Sequence, residues 1–155
     1  KWNHGIGAIE RKDITLGQDM IDKWKVIVSR VFYEHAGKAD KDGKCRVLSI
    51  LDVLSPKTVC TETYLVVDSF DDKEEAKNLR KYLESKFARF LILQASSSIM
   101  ITKNSFIFVP LQDFTSNSDI DWSKSIPEID RQLYRKYGLD EKEISFIESH
   151  VKEMK

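Results

Sequence analysis

Residues 71–94 read DDKEEAKNLRKYLESKFARFLILQ, and this stretch predicts the element around which the chain folds. Asp71 is placed to cap a helix, and Glu74 follows three residues later in the spacing of a capping box. The acidic residues of the first turn also match the positive end of the helix dipole. Apolar residues then recur at helical spacing, at Ala76, Leu79, Leu83, Phe87, Phe90 and Leu91. We therefore predict one long helix that ends near Gln94.

The segments before this helix have the composition of strands. Residues 24–33 (WKVIVSRVFY), 46–54 (RVLSILDVL) and 61–68 (TETYLVVD) are rich in β-branched and aromatic side chains. After the helix, residues 105–110 (SFIFVP) predict a short strand that stops at Pro110, because proline cannot donate to a strand ladder. The helix should therefore pack on a small sheet.

The C-terminal residues predict two linked helices. Residues 126–137 (IPEIDRQLYRKY) have Pro127 in the first turn, and Gly138 is the expected C-terminal stop. Asp140 begins the second helix, whose apolar residues include Ile144, Ile147 and Val151. The predicted fold class is α/β (α+β), with a small mixed sheet, one long packed helix and a C-terminal two-helix tail. We predict an α/β domain at residues 1–114 and a helical tail at residues 115–155 that packs on it.

The composition is typical of one soluble, compact domain. The chain has 155 residues, 25 Lys and Arg against 25 Asp and Glu, and 41% hydrophobic residues. No run approaches the ~18 apolar residues that span a bilayer, so we expect no membrane partner. The two cysteines are too few for a disulfide scaffold or a zinc site, which favours a reducing, cytoplasmic compartment. Lys1 follows no signal-peptide pattern, and we expect the chain to be part of a longer polypeptide.

The charges are unevenly distributed along the neutral chain. Residues 23–46 contain seven basic and three acidic residues, a net charge of +4, whereas residues 113–155 carry a net charge of −3. Within the basic segment, the glycine-containing stretch 34–44 predicts an exposed loop with a tight turn at Asp42-Gly43. Such a loop can bring cations to a phosphate backbone, although a solvated charged loop is the simpler alternative.

Catalytic motifs are missing from the sequence. Magnesium-dependent nucleases use an Asp with a Glu-x-Lys, and that local spacing occurs at residues 75–77 and 10–12. Glu75 lies at a predicted helix start, however, where the helix dipole explains it. The three histidines are scattered, and no glycine-rich phosphate loop is present. We assign no catalytic or metal-ligating residue.

Six segments carry a resemblance to a known family. In chain order they are WKVIVSR (24–30), EHAGKADKDGK (34–44), CTETYLVVDSF (60–70), KFARFLIL (86–93), SFIFVPLQDF (105–114) and LYRKYGLDEKEISFIES (133–149). The chain resembles the C-terminal region of bacterial type II restriction-modification DNA methyltransferases specific for adenine N6, including those fused to a restriction nuclease. FVPLQDF and the KYGL-x-x-x-E-I-x-FIE tail are its most specific elements.

The resemblance implies a DNA target-recognition region. In that family the methyltransferase domain lies N-terminal and carries an S-adenosylmethionine loop and an Asn/Asp-Pro-Pro-Tyr/Phe motif, and neither is present in this sequence. The implied partners are double-stranded DNA and the upstream catalytic domain of the same polypeptide. No cofactor is expected in this chain, S-adenosylmethionine is expected in the parent, and Mg²⁺ is expected there if a nuclease is fused.

Candidate DNA contacts combine this resemblance with side-chain chemistry. Lysine and arginine suit phosphates and guanine, and asparagine suits adenine. The candidates are Arg30, His35, Lys38, Lys41, Lys44, Arg46, Lys103 and Asn104. Residues 96–104 also contain the apolar run 99–101, which either folds back as a strand or presents a surface to a partner. Two other functions remain open: an interaction domain in which FVPLQDF and the acidic tail pack on the catalytic domain or another subunit, and a Mg²⁺-dependent nuclease.

Overall fold

The computed structural model describes residues 7–31, 39–96 and 98–154. In these ranges the fold is α+β, as predicted. Three strands form an antiparallel sheet in the order β2-β1-β3: β1 (Trp24–Ser29), β2 (Leu51–Leu54) and β3 (Tyr64–Phe70). The α-helices are α1 (Lys73–Glu84), α2 (Lys86–Ala95), α3 (Ile126–Lys136) and α4 (Glu141–His150).

The core lies between the sheet and α1. Val26 and Val28 alternate along β1 and are completely buried, and Leu51 of β2 is buried in the same cluster. The first helix contacts all three strands and contributes Ala76, Leu79 and Leu83 to the same core. The alternate residues Val26 and Val28 therefore form the sheet face of the core, and the helically spaced apolar residues of α1 form the face that packs on it.

The single long helix that the sequence predicts is in fact two helices. Ser85 lies between α1 and α2 in an extended conformation with ψ of 148°. Its buried hydroxyl accepts a hydrogen bond from the Ala88 N–H at 3.1 Å and donates one to the Tyr82 carbonyl at 2.6 Å. Serine competes well with the helix backbone for such bonds, so this residue both ends α1 and caps α2. The first helix also begins one residue late, with Asp72 rather than Asp71 as its N-cap.

Asp130 of α3 completes the start of α2. Its carboxylate accepts hydrogen bonds from the backbone N–H groups of Lys86 at 3.1 Å and Phe87 at 2.9 Å. Asp130 is almost completely buried, and that burial raises its pKa to about 6, although the two N–H groups act in the opposite direction. The neighbouring Arg89 is also buried, and burial lowers the pKa of its guanidinium.

The two tail helices form as predicted. Gly138 takes a φ of +67° just after α3, and Asp140 caps α4 by accepting hydrogen bonds from the Lys142 and Glu143 N–H groups. Ile129 and Leu133 of α3 are completely buried in the core cluster that contains the sheet residues. The tail and the α/β body therefore share one hydrophobic core.

The predicted strand at residues 105–110 is wrong. The chain forms a 3-10 helix there, Lys103–Phe106, followed by turns. The Thr102 N–H donates to the Ser105 hydroxyl at 3.2 Å, and the Ser105 N–H donates to the Thr102 carbonyl at 3.0 Å. These short-range bonds close a turn before a strand can form.

The other strands occur with different bounds. Leu48 has a φ of +64°, which interrupts the predicted strand 46–54 and leaves only Leu51–Leu54. The first strand ends at Ser29 rather than at residue 33, and the last two predicted residues lie outside the described ranges. The third strand is displaced to Tyr64–Phe70.

Candidate nucleic-acid interface

Three separate parts of the chain meet at the end of β1. Val31 forms an isolated antiparallel bridge with Met100, and its carbonyl accepts a hydrogen bond from the Ser49 hydroxyl at 2.9 Å. One residue earlier, the Arg30 carbonyl accepts the Ile101 N–H at 2.8 Å. The end of β1 is thus held between the segment before β2 and the segment after α2.

Arg30 is exposed at this junction. Its Nε donates to the Tyr64 carbonyl at a long 3.4 Å, and it has no ion pair with an acidic group among the described residues. A guanidinium has five N–H donors, so several remain available for an acceptor from outside the chain. This geometry suits contact with a phosphate or with a guanine edge.

Lys103 and Asn104 lie close to Arg30. Both are exposed at the start of the 3-10 helix, and neither forms an ion pair or a side-chain hydrogen bond within the described part of the chain. They follow Ile101, whose backbone nitrogen lies 2.8 Å from the Arg30 carbonyl oxygen, by two and three residues. Chain length therefore limits their backbones to about 10 Å and about 14 Å from that carbonyl. The structure therefore places these three candidates on two backbone segments that the Arg30–Ile101 hydrogen bond joins, although the segments are far apart in the sequence.

The apolar run next to Lys103 divides between core and surface. Ile101 is completely buried, whereas Ile99 and Met100 are 49% and 44% exposed. The predicted strand in this segment amounts to the single bridge formed by Met100.

We name residues 35–46 the basic loop. Its described part contains the turn that Asp42-Gly43 predicts. The Asp40 N–H donates to the Lys44 carbonyl at 2.8 Å, and Gly43 takes a φ of +76° that suits glycine. Lys41 is exposed at this turn and Lys44 is half-buried.

Of the remaining candidates in the loop, the structure describes Arg46 but not His35 or Lys38. Arg46 is exposed, and its Nε lies 3.3 Å from an Asp40 carboxylate oxygen. His35 and Lys38 lie outside the described residues. The loop connects to the junction through residues 47–49, because Ser49 contacts Val31.

The C-terminal segment is attached to the loop. Cys45 and Val151 form a parallel bridge, in which the Cys45 N–H donates to the His150 carbonyl at 2.7 Å and the Lys152 N–H donates to the Cys45 carbonyl at 3.0 Å. The Lys152 ammonium lies 2.5 Å from an Asp40 oxygen. Sequence reasoning missed this contact, because 112 residues separate the two side chains.

The same ammonium also contacts Asp42, at 3.1 Å. Hydrogen bonds with Asp40 and then Asp42 raise the pKa of Lys152, and the bond with Lys152 is the largest cause that lowers the pKa of Asp42. Both shifts favour the charged forms of Lys152 and Asp42.

Two basic residues of the +4 segment do not belong to the surface that the loop presents. Lys25 is 3% exposed, and its ammonium lies within hydrogen-bond distance, 2.6–3.3 Å, of four backbone carbonyl oxygens, those of Met20, Ile21, Lys23 and Ser55. Burial lowers the pKa of Lys25. The Lys23 ammonium lies 4.0 Å from Asp71. The charge counted along the sequence thus overstates the positive charge available to a ligand.

An apolar surface lies just beyond the 3-10 helix. Ile107, Phe108 and Leu111 are 64%, 54% and 96% exposed. We name these three residues the 107–111 surface. Phe108 and Leu111 belong to FVPLQDF, which the sequence analysis kept open as an interaction segment. Their joint exposure was not predicted, because alternate residues of the predicted strand were expected to enter the core.

Hydrogen bonds from side chains of the fold fix the backbone of the 107–111 surface. The Pro110 carbonyl accepts hydrogen bonds from the buried Tyr82 hydroxyl at 2.9 Å and from Gln112 at 3.3 Å. Gln112 also donates to the Tyr137 hydroxyl at 2.7 Å. Three apolar side chains are therefore presented to solvent on an anchored loop.

The Glu-x-Lys spacings lie away from any strand. Glu75 belongs to the first turn of α1, as predicted, and Glu10 forms an ion pair with Lys12 at 2.6 Å. Within the described ranges, no group of three or more His, Cys, Asp or Glu residues is arranged to hold a metal ion. A groove of about 690 Å³ runs between α1 and residues 115–123, but its Lys77 pairs with Glu74 and its Lys81 donates to the Trp122 carbonyl.

Comparisons with known proteins found no match to this chain among protein-family models, curated proteins or solved structures. No helix in residues 7–31, 39–96 and 98–154 combines the length and apolar character needed to cross a membrane.

Proposed function

We propose that this chain is the DNA sequence-recognition module of a type II restriction-modification adenine-N6 methyltransferase, or of such an enzyme fused to an endonuclease. The family resemblance suggests the class of enzyme, and the exposed cations and amide suggest the surface that contacts DNA. Catalysis, S-adenosylmethionine and any Mg²⁺ belong to the upstream part of the parent polypeptide in this proposal. The enzyme is cytoplasmic, since restriction-modification acts on the cell's own DNA.

The junction at Val31 is the observation that carries the proposal. Arg30, Lys103 and Asn104 are exposed and without ionic partners in the described part of the chain, and the Arg30–Ile101 hydrogen bond keeps their backbones close. Recognition of a duplex needs cations that fix the register on phosphates and amide or guanidinium groups that read base edges. Both kinds of group occur at this junction.

The basic loop extends the surface. Lys41 and Lys44 add two cations, and residues 47–49 connect them to the junction through the Ser49–Val31 hydrogen bond. In the proposed complex the lysines contact phosphates, and Arg30 and Asn104 contact bases. Arg46 supports the loop through its ion pair with Asp40.

Selection from a randomised duplex library tests the proposal. The purified chain is expected to enrich a defined sequence. Arg30→Ala and Asn104→Ala should each broaden the preference at one or two positions, with a cost of about 1–3 kcal/mol for a lost bidentate base contact. Lys142→Ala is the matched control, since Lys142 is exposed on α4 and is not one of the candidate contacts. Failure to enrich any sequence, or identical preferences in all three variants, would contradict base recognition at this site.

An interaction module of the same enzyme is the second candidate. The 107–111 surface favours it, because three large apolar side chains are exposed together on an anchored backbone. In that case these residues pack on the upstream catalytic domain, and DNA is contacted elsewhere. The 107–111 surface and the junction use different residues, so each function can be tested without altering the other surface.

A further inference from the structure

The loop that carries Lys41 and Lys44 also carries two carboxylates. Asp40 and Asp42 lie on either side of Lys41, and a negative charge at these positions opposes the approach of a phosphate backbone. Residues 40–46 alone have a net charge of only +1, from three basic and two acidic residues. If this surface binds DNA, a nearby positive charge must offset the repulsion between these carboxylates and the phosphates.

Lys152 supplies that neutralisation from the other end of the chain. Its ammonium contacts both carboxylates, Asp40 at 2.5 Å and Asp42 at 3.1 Å. With Lys152 included, the cluster of residues 40–46 and 152 has a net charge of +2. The lysine side chain is 27% exposed and Asp40 is 15% exposed, so solvent screens this arrangement less than an open surface pair.

The backbone around Lys152 is fixed independently of these ion pairs. The buried Arg89 guanidinium donates to the Lys152 carbonyl at 2.5 Å, and Val151 is completely buried. The bridge between Cys45 and Val151 aligns this segment with the loop. Lys152 therefore reaches the two carboxylates from a rigid support.

We infer that Lys152 is a positioning residue for DNA binding, which holds the basic loop and neutralises Asp40 and Asp42 without itself contacting DNA. This inference rests on the proposed function. It assigns the C-terminal segment, which the sequence shows as part of an acidic tail, to the DNA-binding surface.

The test compares four forms of the chain by fluorescence anisotropy with the duplex selected from the library. Lys152→Ala should lower affinity about fivefold, because one neutralising charge is lost beside the proposed phosphate contacts. Lys152→Arg should retain affinity, because arginine keeps the charge and reaches the same carboxylates. Thermal unfolding of all forms controls for loss of structure.

The decisive form is the double variant Asp42→Asn with Lys152→Ala. It restores the net charge of +2, and the asparagine side chain keeps an oxygen at the position where Asp42 accepts the Lys44 N–H at 3.3 Å. Affinity should return to within about twofold of the unaltered chain, since the two substitutions compensate each other in charge. If the double variant binds as weakly as Lys152→Ala, then Lys152 contacts DNA itself or acts only on stability, and the inference is wrong.

The outcomes separate this inference from the proposed function. If the Lys152→Ala variant binds the duplex as tightly as the unaltered chain does, the positioning role of Lys152 is wrong. DNA recognition by the chain is not affected by that result. An unaltered chain without duplex affinity overturns DNA recognition, and the role of Lys152 with it.

Discussion

The Asp130 carboxylate of α3 accepts the backbone N–H of Phe87 at 2.9 Å, and so a side chain from the tail caps a helix of the body. The Lys86 N–H donates to the same carboxylate at 3.1 Å. The break at Ser85 leaves these N–H groups without helical partners, and Asp130 satisfies them inside the core. The tail thus stabilises the helix that leads to the 98–104 segment.

Replacing Asp130 should destabilise the fold. Asp130→Ala leaves two buried N–H groups without an acceptor, and we expect a loss of about 1–3 kcal/mol in the free energy of unfolding. Urea denaturation measures this loss. Asp140→Ala at the exposed cap of α4 is the control, and its cost should be nearer ~1 kcal/mol. Equal, small effects for both variants would show that the buried cap does not stabilise α2.

The raised pKa of Asp130 gives stability a pH dependence. Its pKa rises from an ordinary 3.8 to about 6 in the folded chain, mainly through burial. The folded state therefore holds this proton more strongly. The stabilisation is fully present below about pH 4 and is lost as the pH rises through about 6. Its full size is on the order of 3 kcal/mol.

The comparison with Asp130→Asn isolates this contribution. Asparagine stays neutral at every pH. The free energy of unfolding of the unaltered chain should therefore fall, relative to that of the variant, as the pH rises from about 4 to about 7. Other carboxyls with lowered pKa values, Asp113, Asp121 and Glu128, act in the opposite direction at lower pH and cancel in the difference. Parallel stability profiles would contradict the raised pKa.

Lys25 is expected to be structural rather than DNA-binding. Lys25→Met removes the ammonium from four backbone carbonyls and should cost about 1–3 kcal/mol in the free energy of unfolding. Chemical denaturation measures the change. The neighbouring Lys23, with a side chain 39% exposed, provides the control, and Lys23→Met should change stability by less than about 0.5 kcal/mol. A neutral Lys25→Met would show that water replaces the ammonium without loss.

The 107–111 surface can be tested through its most exposed residue. Leu111→Ser should leave the thermal midpoint unchanged, because this side chain is 96% exposed and supports no core contact. Calorimetric titration with the separate upstream domain should show about tenfold weaker binding, the size of a moderate interface contact. Leu16→Ser is the control, since Leu16 is 86% exposed elsewhere. Equal binding by both variants would remove this surface from the interface.

Local patterns predicted much of the fold and little of the candidate site. The tail helices follow from Pro127, Gly138 and Asp140, which act on their own neighbours in sequence. The break at Ser85 was missed because the helical spacing of apolar residues continues through it, and Asp130 stabilises the break from 44 residues away. The strand at 105–110 was wrong because β-branched and aromatic composition describes a half-buried surface as much as a strand.

The candidate residues were named from charge and resemblance, but their arrangement was not predictable. Nothing in the sequence indicates that Arg30 lies next to Ile101 or that Lys152 reaches Asp40, because both contacts depend on tertiary packing. Conversely, Lys25 counted toward the basic segment although the fold buries it. Charge counted by segment therefore identifies a region but not a surface.

DNA recognition by this chain is tested most directly by the salt dependence of its duplex affinity. The measurement compares the unaltered chain with a variant that replaces Lys41, Lys44 and Lys103 by alanine. A control variant replaces the exposed lysines Lys12, Lys124 and Lys142. If the first three lysines contact phosphates, the log–log slope should fall by about three, while the control keeps the original slope. No duplex binding by the unaltered chain, or the same slope in both triple variants, would contradict DNA recognition at this surface.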